Sequence, residues 1–272
     1  DIQDQINGGF TKSWDNAIHT MSLVNKLFPE NGTAFFNTVL MPKNLFDMED
    51  LIKFATAIGW GVSIVPVHTT STNEPKSYRT FDDKSVVTFE EHQYSEVKKV
   101  IQNLKILRKK GYNVYDSDDY LDDVYRFVVG EPLKWRQRNN NVCDSPNLYF
   151  AIAPNGNLKV CCDYEILNSF PAYDVNFPDW YRSGIIHKEV YNYTNSCNGC
   201  MYGSYPEITV TSRFLIPMLE RFLYFNVKPP KLKKLTPNQL KDIAHDILFE
   251  RTGKFVKKEL TPYKIHNKEK AN

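Results

Sequence analysis

Every cysteine of the 272-residue chain falls between Cys143 and Cys200. There are five, an odd number, bunched in a sequence without a secretory pattern. That argues against a disulfide framework and for metal-binding thiols in a reducing compartment. The stretch "SPNLYFAIAPNGNLKVCCDYE", Ser145 to Glu165, reads as a hairpin, with strands at Leu148–Ala153 and Asn157–Val160 and a Pro154-Asn155-Gly156 turn. Cys143 precedes it and Cys161 ends its second strand, so the turn brings these two back towards each other. A Cys-x-x-Cys knuckle, Cys197 and Cys200, follows 35 residues later. Two thiolates from the knuckle and one from each end of the hairpin make a tetrahedral set. Zinc and an iron–sulfur cluster both accept such a set, and spacing does not separate them. Buried cysteines without metal are the plainer alternative, but a full set of four is more specific than a lone Cys-x-x-Cys. Cys162 points to the other face of its strand, because alternate residues on a strand face opposite ways.

Upstream of the cysteines the apolar residues alternate between two periods. "TKSWDNAIHTMSLVNKLF", Thr11 to Phe28, carries Trp14, Ile18, Met21, Val24 and Leu27 at helical spacing. "TAFFNTVLM", Thr33 to Met41, is a buried strand. "LFDMEDLIKFATAIGW" is a helix and "GVSIVPVH", Gly61 to His68, a second strand. A polar loop runs from Thr69 to Lys84. A third helix follows, "YSEVKKVIQNLKILRKKGY", then a short strand at Tyr112–Tyr115. A fourth helix is capped by Ser117 or Asp118. Strands alternating with helices build a parallel sheet covered by helices. Three strands are few for such a sheet, so residues 1–130 read as the C-terminal half of a larger α/β barrel.

After Gly130 the texture changes. "EPLKWRQRNNN" is polar and reads as a linker into a small α+β domain over residues 131–225. The Tyr-, Asn- and Pro-rich stretch to Tyr205 reads as loop, and one long helix is expected from about Ile208 to Phe225. Residues 226–272 form a last helix, with Thr236 as its cap and Pro237 at its first position, and a basic tail. That last segment holds 12 Lys/Arg against 5 Asp/Glu, while the rest holds 22 against 27. A net charge of +2 with one basic end argues against a nucleic-acid partner. No stretch is apolar enough to span a membrane, so a cytoplasmic chain is expected.

The pattern "PNG-x-L-x-V-C" between Cys143 and Cys161, followed by a distant Cys-x-x-Cys, resembles the auxiliary-cluster domain of radical S-adenosylmethionine (radical SAM) enzymes. That domain is called SPASM, or twitch in its shorter form. No cysteine follows Cys200, which favours the twitch form. "FNTVLMPKN", Phe36 to Asn44, is similar to the fifth barrel strand of these enzymes, and "LIKFATAIGWGVSIVPV" to the helix and sixth strand after it. The resemblance covers about residues 10 to 205. The chain departs from the family in lacking both the C-x3-C-x2-C signature and the Gly-Gly-Glu-Pro stretch. With Asp1 rather than Met in first place, the expectation is a fragment whose first four strands are missing.

The resemblance implies a partial (β/α)6 barrel followed by a small α+β domain. It implies that Cys143, Cys161, Cys197 and Cys200 hold an auxiliary 4Fe–4S cluster. SAM and a second 4Fe–4S cluster are expected in the full-length protein. Asn37 and Asn44 lie in the vicinity of SAM in this reading; the alternative makes Asn37 an inward polar residue and Asn44 the cap of the helix at Leu45. Partners would be a small-molecule or peptide substrate and an electron donor such as flavodoxin or ferredoxin. Four cysteine ligands leave no open iron site, which favours electron transfer or structural support over substrate ligation. His68, at the carboxyl end of a strand, and Asp163 are further candidates, each more simply a loop or solvated residue. The competing class is a non-enzymatic zinc-binding module on an α/β scaffold.

Overall fold

The computed structural model describes residues 12–29, 31–68, 87–138, 143, 151–159, 161, 170–197, 199–227 and 229–252. Helix α1 (Ser13–Leu27) leads to strand β1 (Phe35–Leu40), a 3-10 turn (Pro42–Asp47), α2 (Met48–Ile58) and β2 (Gly61–Pro66). Then come α3 (Tyr94–Lys109), α4 (Asp118–Val129) and α5 (Lys134–Arg138). A hairpin of β3 (Ala151–Ile152) and β4 (Leu158–Lys159) precedes α6 (Phe177–Arg182), α7 (Ile185–Ser196), α8 (Ser204–Arg213), α9 (Leu215–Asn226) and α10 (Pro237–Thr252). The mixed α/β organisation expected from the alternating periods is present.

β1 and β2 pair in parallel, from Phe35 opposite Gly61 to Leu40 opposite Pro66. The third extended segment joins through a parallel bridge between Val62 and Val114, where Val62 N–H donates to Asn113 O and Tyr115 N–H to Val62 O, each at 2.9 Å. The three segments are therefore adjacent and parallel, as the alternation requires. Alternate side chains divide the two faces. Leu40, Val62 and Ile64 are buried in the core shared with α2, α3 and α4, and Phe36 packs its ring on Trp60 at 4.6 Å. On the opposite face, Phe35 and Tyr115 meet Tyr224 and Phe225 of α9, with ring centroids 5.2 to 6.1 Å apart. Gly61 is small because of this layer: a Cβ there would lie 2.4 Å from the Phe35 ring and 2.6 Å from the Tyr224 hydroxyl.

Local signals explain the starts of α4 and α10. Ser117 Oγ accepts from Tyr120 N–H at 3.1 Å, which selects Ser117 as the cap of α4. Thr236 and Gln239 form a reciprocal capping box at the start of α10, with Pro237 in the first turn. α10 packs on α1 and α2 rather than trailing away. The hairpin turns where expected: Gly156 N–H donates to Ala153 O at 2.8 Å, and Gly156 has φ +83°. Residues 148–150 and 160 of the expected strands lie outside the described residues, as does the loop 69–86.

Three expectations are corrected. Residues 134–138 are helix, not linker, and Leu133, Trp135 and Arg136 are buried. The single helix expected over Ile208–Phe225 is two, broken at Phe214, which is extended at φ −122°, ψ 124°. Pro217 explains the break, since its ring would clash with the Arg213 carbonyl of a continuous helix. The stretch read as loop to Tyr205 contains α6 and α7. α7 buries Ile186, Val190 and Thr194, spaced four apart, and the first two join Leu158 and Phe170 in a second small core.

A buried amide ties the C-terminal segment down. Asn25 Nδ2 donates to Ile58 O at 3.1 Å and Lys233 O at 2.7 Å, while its Oδ1 accepts from Trp60 Nε1 at 2.5 Å. Asn25→Ala removes all three bonds and strands the indole N–H. Urea unfolding is expected to show a loss of about 2–4 kcal/mol, with an unchanged m-value.

Candidate metal centre

The Cys197–Cys200 knuckle closes the C-terminus of α7 and lies against α4, α5 and the end of β2. Within it, Gly199 N–H donates to Cys197 Sγ at 3.3 Å. Gly199 has φ +94°, and a Cβ there would lie 2.8 Å from Arg136 Cγ, so only glycine makes this turn.

Two consecutive side chains of α5 hold the knuckle at both ends. Trp135 Nε1 donates to Cys200 O at 3.2 Å. Arg136 Nη2 donates to Cys197 O at 2.8 Å and to Thr194 O at 2.7 Å, satisfying carbonyls at the end of α7. α5 has only five residues and is itself fixed by Asp123 of α4. The two oxygens of that buried carboxylate accept from Lys134 N–H and Trp135 N–H, each at 2.8 Å.

Beyond the knuckle, Met201 is fully buried and both of its backbone groups are bound. Met201 N–H donates to His68 Nε2 at 2.9 Å, and Met201 O accepts from Tyr120 OH at 3.0 Å. The tautomer of His68 follows. Its Nδ1 is 2.9 Å from Pro66 O and must donate, leaving Nε2 as acceptor. The ring is stacked on Tyr202 at 3.9 Å, and burial lowers its pKa to about 4. His68 is therefore an anchor that fastens the knuckle to the end of β2, a role its sequence position did not disclose.

Beneath this segment lies a layer of buried acids. Asp116 accepts from Ser63 Oγ at 2.9 Å and Ile64 N–H at 2.6 Å. Burial raises its pKa to about 7, against these hydrogen bonds and the charge of Arg108. Glu207 of α8 is pushed up to about 8 by burial and then by Asp116. One of its oxygens pairs with Arg221, whose guanidinium stacks over Tyr115 at 3.9 Å; the other, Oε1, has no hydrogen-bond partner. Tyr120 is raised by burial, and then by Asp116, Glu207 and Cys200. A cavity of about 90 Å³ opens between Tyr120, Asp123, Trp135 and Glu207. A second, apolar cleft of about 350 Å³ lies at the carboxyl ends of β1 and β2, between Leu40, Pro66, Phe89, Tyr94 and Phe127.

The other predicted site residues distribute as follows. Cys143 packs against the main core, with its Sγ 3.9 Å from Thr209 Oγ1 of α8. Cys161 is half-buried, two residues past β4. Cys162 and Asp163 lie outside the described residues. Among the described residues, no three or more His, Cys, Asp or Glu stand as a ready metal-binding group. Asn44 is engaged at both ends of its amide, accepting from Met41 N–H at 2.9 Å and donating to Val39 O at 2.8 Å; it is the third residue of the 3-10 turn, whose cap is Met41, so it does not cap a helix beginning at Leu45. Asn37 is exposed, opposite Ser63 in the register and so on the face that carries the Ser63–Asp116 bond.

The chain matches no protein-family model, no curated protein and no solved structure. No helix among the described residues is long and apolar enough to cross a membrane.

Asp116 makes stability depend on pH. Its carboxyl is raised in the folded chain from 3.8 to about 7, so the folded state holds a proton that the unfolded state releases. That contribution is complete below the unfolded value and is lost as pH rises through about 7. Glu207 acts in the same sense, whereas His68, lowered to about 4, stabilises above 6.5 and ceases to do so as pH falls through about 4. Comparison with Asp116→Asn isolates the first effect. Chemical unfolding between pH 4 and 8 should show the wild type losing more stability than the variant, by on the order of a few kcal/mol.

Proposed function

We propose that this chain is part of a radical SAM enzyme and that Cys143, Cys161, Cys197 and Cys200 hold an auxiliary 4Fe–4S cluster. The observation that carries this reading is the knuckle. An amide aims at the Cys197 sulfur, and the indole and guanidinium of Trp135 and Arg136 hold the carbonyls of Cys200 and Cys197. Amide hydrogen bonds to sulfur and buried surroundings are the means by which proteins set the potential of such clusters. The alternation of α1, β1, α2, β2, α3, the segment at Val114 and α4 supports the half-barrel part of the reading.

When bound, such a cluster supplies one-electron transfer next to a substrate. The chain's own residues do the rest. Trp135, Arg136, His68 and Tyr120 fix the backbone at Cys197, Cys200 and Met201. Tyr120, whose hydroxyl donates to the Met201 carbonyl and whose pKa is raised by burial, places a protonated group beside the knuckle at neutral pH. The apolar cleft at the carboxyl ends of β1 and β2 is where ligands of open α/β sheets bind, and in this reading it takes part of the substrate. Cleavage of SAM belongs to a C-x3-C-x2-C segment that these residues do not contain, with Asn37 near the SAM site. The setting is cytoplasmic, with a reducing electron donor as partner.

Anaerobic reconstitution with iron and sulfide tests the assignment. The wild type should take up about four irons and four sulfides per chain and turn brown. Cys161→Ala should lose most of that iron, and Cys162→Ala should keep it. Loss in Cys162→Ala instead would shift the hairpin alignment by one residue. Uptake of one colourless zinc in preference to iron would favour the zinc-module reading.

A further inference from the structure

We infer that Arg136 is an anion-holding residue built into the floor of the knuckle, and that the anion it holds is the thiolate-bound metal centre itself. The inference rests on the cluster reading above. Arg136 is only 2 % exposed, and a buried cation without a counter-charge is expensive. Nη2 is bound to the Thr194 and Cys197 carbonyls, but Nε and Nη1 are buried without a hydrogen-bond partner among the described residues. Carbonyls satisfy the donors of one guanidinium nitrogen; they do not neutralise its charge. No carboxylate forms an ion pair with Arg136 among the described residues, although Arg108, Arg126, Arg221 and Arg251 all have one.

The side chain is placed for this task. Its Cγ lies under Gly199, at the centre of the knuckle, and its head reaches the Cys197 carbonyl. The neighbouring Trp135 ring covers it at 5.5 Å. Four thiolates around a 4Fe–4S core in its 2+ state carry a net charge of −2, and four thiolates around Zn²⁺ carry the same. In this reading either metal would place a dianion on the segment whose Cys197 carbonyl the buried guanidinium already binds. The two charges offset each other's desolvation, so the site is complete only when metal is bound.

Co²⁺ alone is the probe, read by thiolate-to-cobalt charge-transfer absorption in the full chain, with Arg136→Gln and Arg136→Lys as variants. Gln keeps a donor and removes the charge; Lys keeps the charge and removes the fork. Arg136→Gln should weaken Co²⁺ binding by at least about tenfold, and Arg136→Lys should recover most of it. In the iron-loaded protein, the reduction potential should fall in Arg136→Gln and stay near the wild-type value in Arg136→Lys, because removing a nearby positive charge opposes addition of an electron. Equal affinities in wild type and Arg136→Gln would overturn the inference. Equal losses in both variants would also overturn it, since Arg136 would then act only as a clamp on two carbonyls. If Arg136→Gln fails to fold by circular dichroism, folded Arg136→Lys decides alone: a loss greater than about tenfold contradicts a charge role. A wild type that binds no Co²⁺ through thiolates would instead overturn the cluster reading beneath it.

Discussion

A single buried carboxylate, Asp123, sets the position of everything around the knuckle. It caps the two backbone N–H groups that open α5, a helix too short to persist alone. With α5 fixed to α4, Trp135 and Arg136 face the carbonyls of Cys200 and Cys197. The knuckle is thus held through the backbone oxygens of Cys197 and Cys200. Met201 completes the attachment, with His68 on its N–H and Tyr120 on its carbonyl. The cysteine-bearing segment is part of the α/β unit's surface, and the unit's sheet positions it.

The same attachment explains the unusual polarity under the segment. Asp116 and Glu207 are both buried, one hydrogen-bonded at the edge of the sheet and the other paired with Arg221 from α9. α8 and α9 cover a sheet face that is small and polar at Gly61 and Ser63 and aromatic at Phe35 and Tyr115. A plain apolar layer would have been simpler to bury.

Much of this was legible in the sequence, for physical reasons that differ along the chain. The strands and helices up to Val129 follow from a clean change of period and from strong local caps such as Ser117. The hairpin turn follows from Pro154-Asn155-Gly156, which admits few other conformations. The grouping of Cys197 with Cys200 follows from their spacing. α5 was illegible because "KWRQRNNN" has no apolar repeat; its order comes from Asp123, eleven residues earlier, and from the knuckle, sixty residues later. α7 was hidden by Tyr and Asn, which are weak helix formers, although Ile186, Val190 and Thr194 carried a spacing of four. The structural roles of His68 and Arg136 depend on backbone groups far along the chain, Met201 and Cys197, and no local pattern encodes such a bond. Asn44 bonds within a turn that opens at Pro42, three residues before the helix start expected at Leu45, because Pro42 is suited to the first position of a helix.

X-ray absorption at the metal edge of the anaerobically reconstituted chain tests the central claim most directly, since it reads the ligand atoms themselves. The account predicts an all-sulfur shell around iron with iron–iron scattering beyond it. A four-sulfur shell at about 2.3 Å around zinc would keep the four-thiol site but move it to the structural class. A shell dominated by nitrogen or oxygen, or a chain that retains no metal after desalting, would contradict the account.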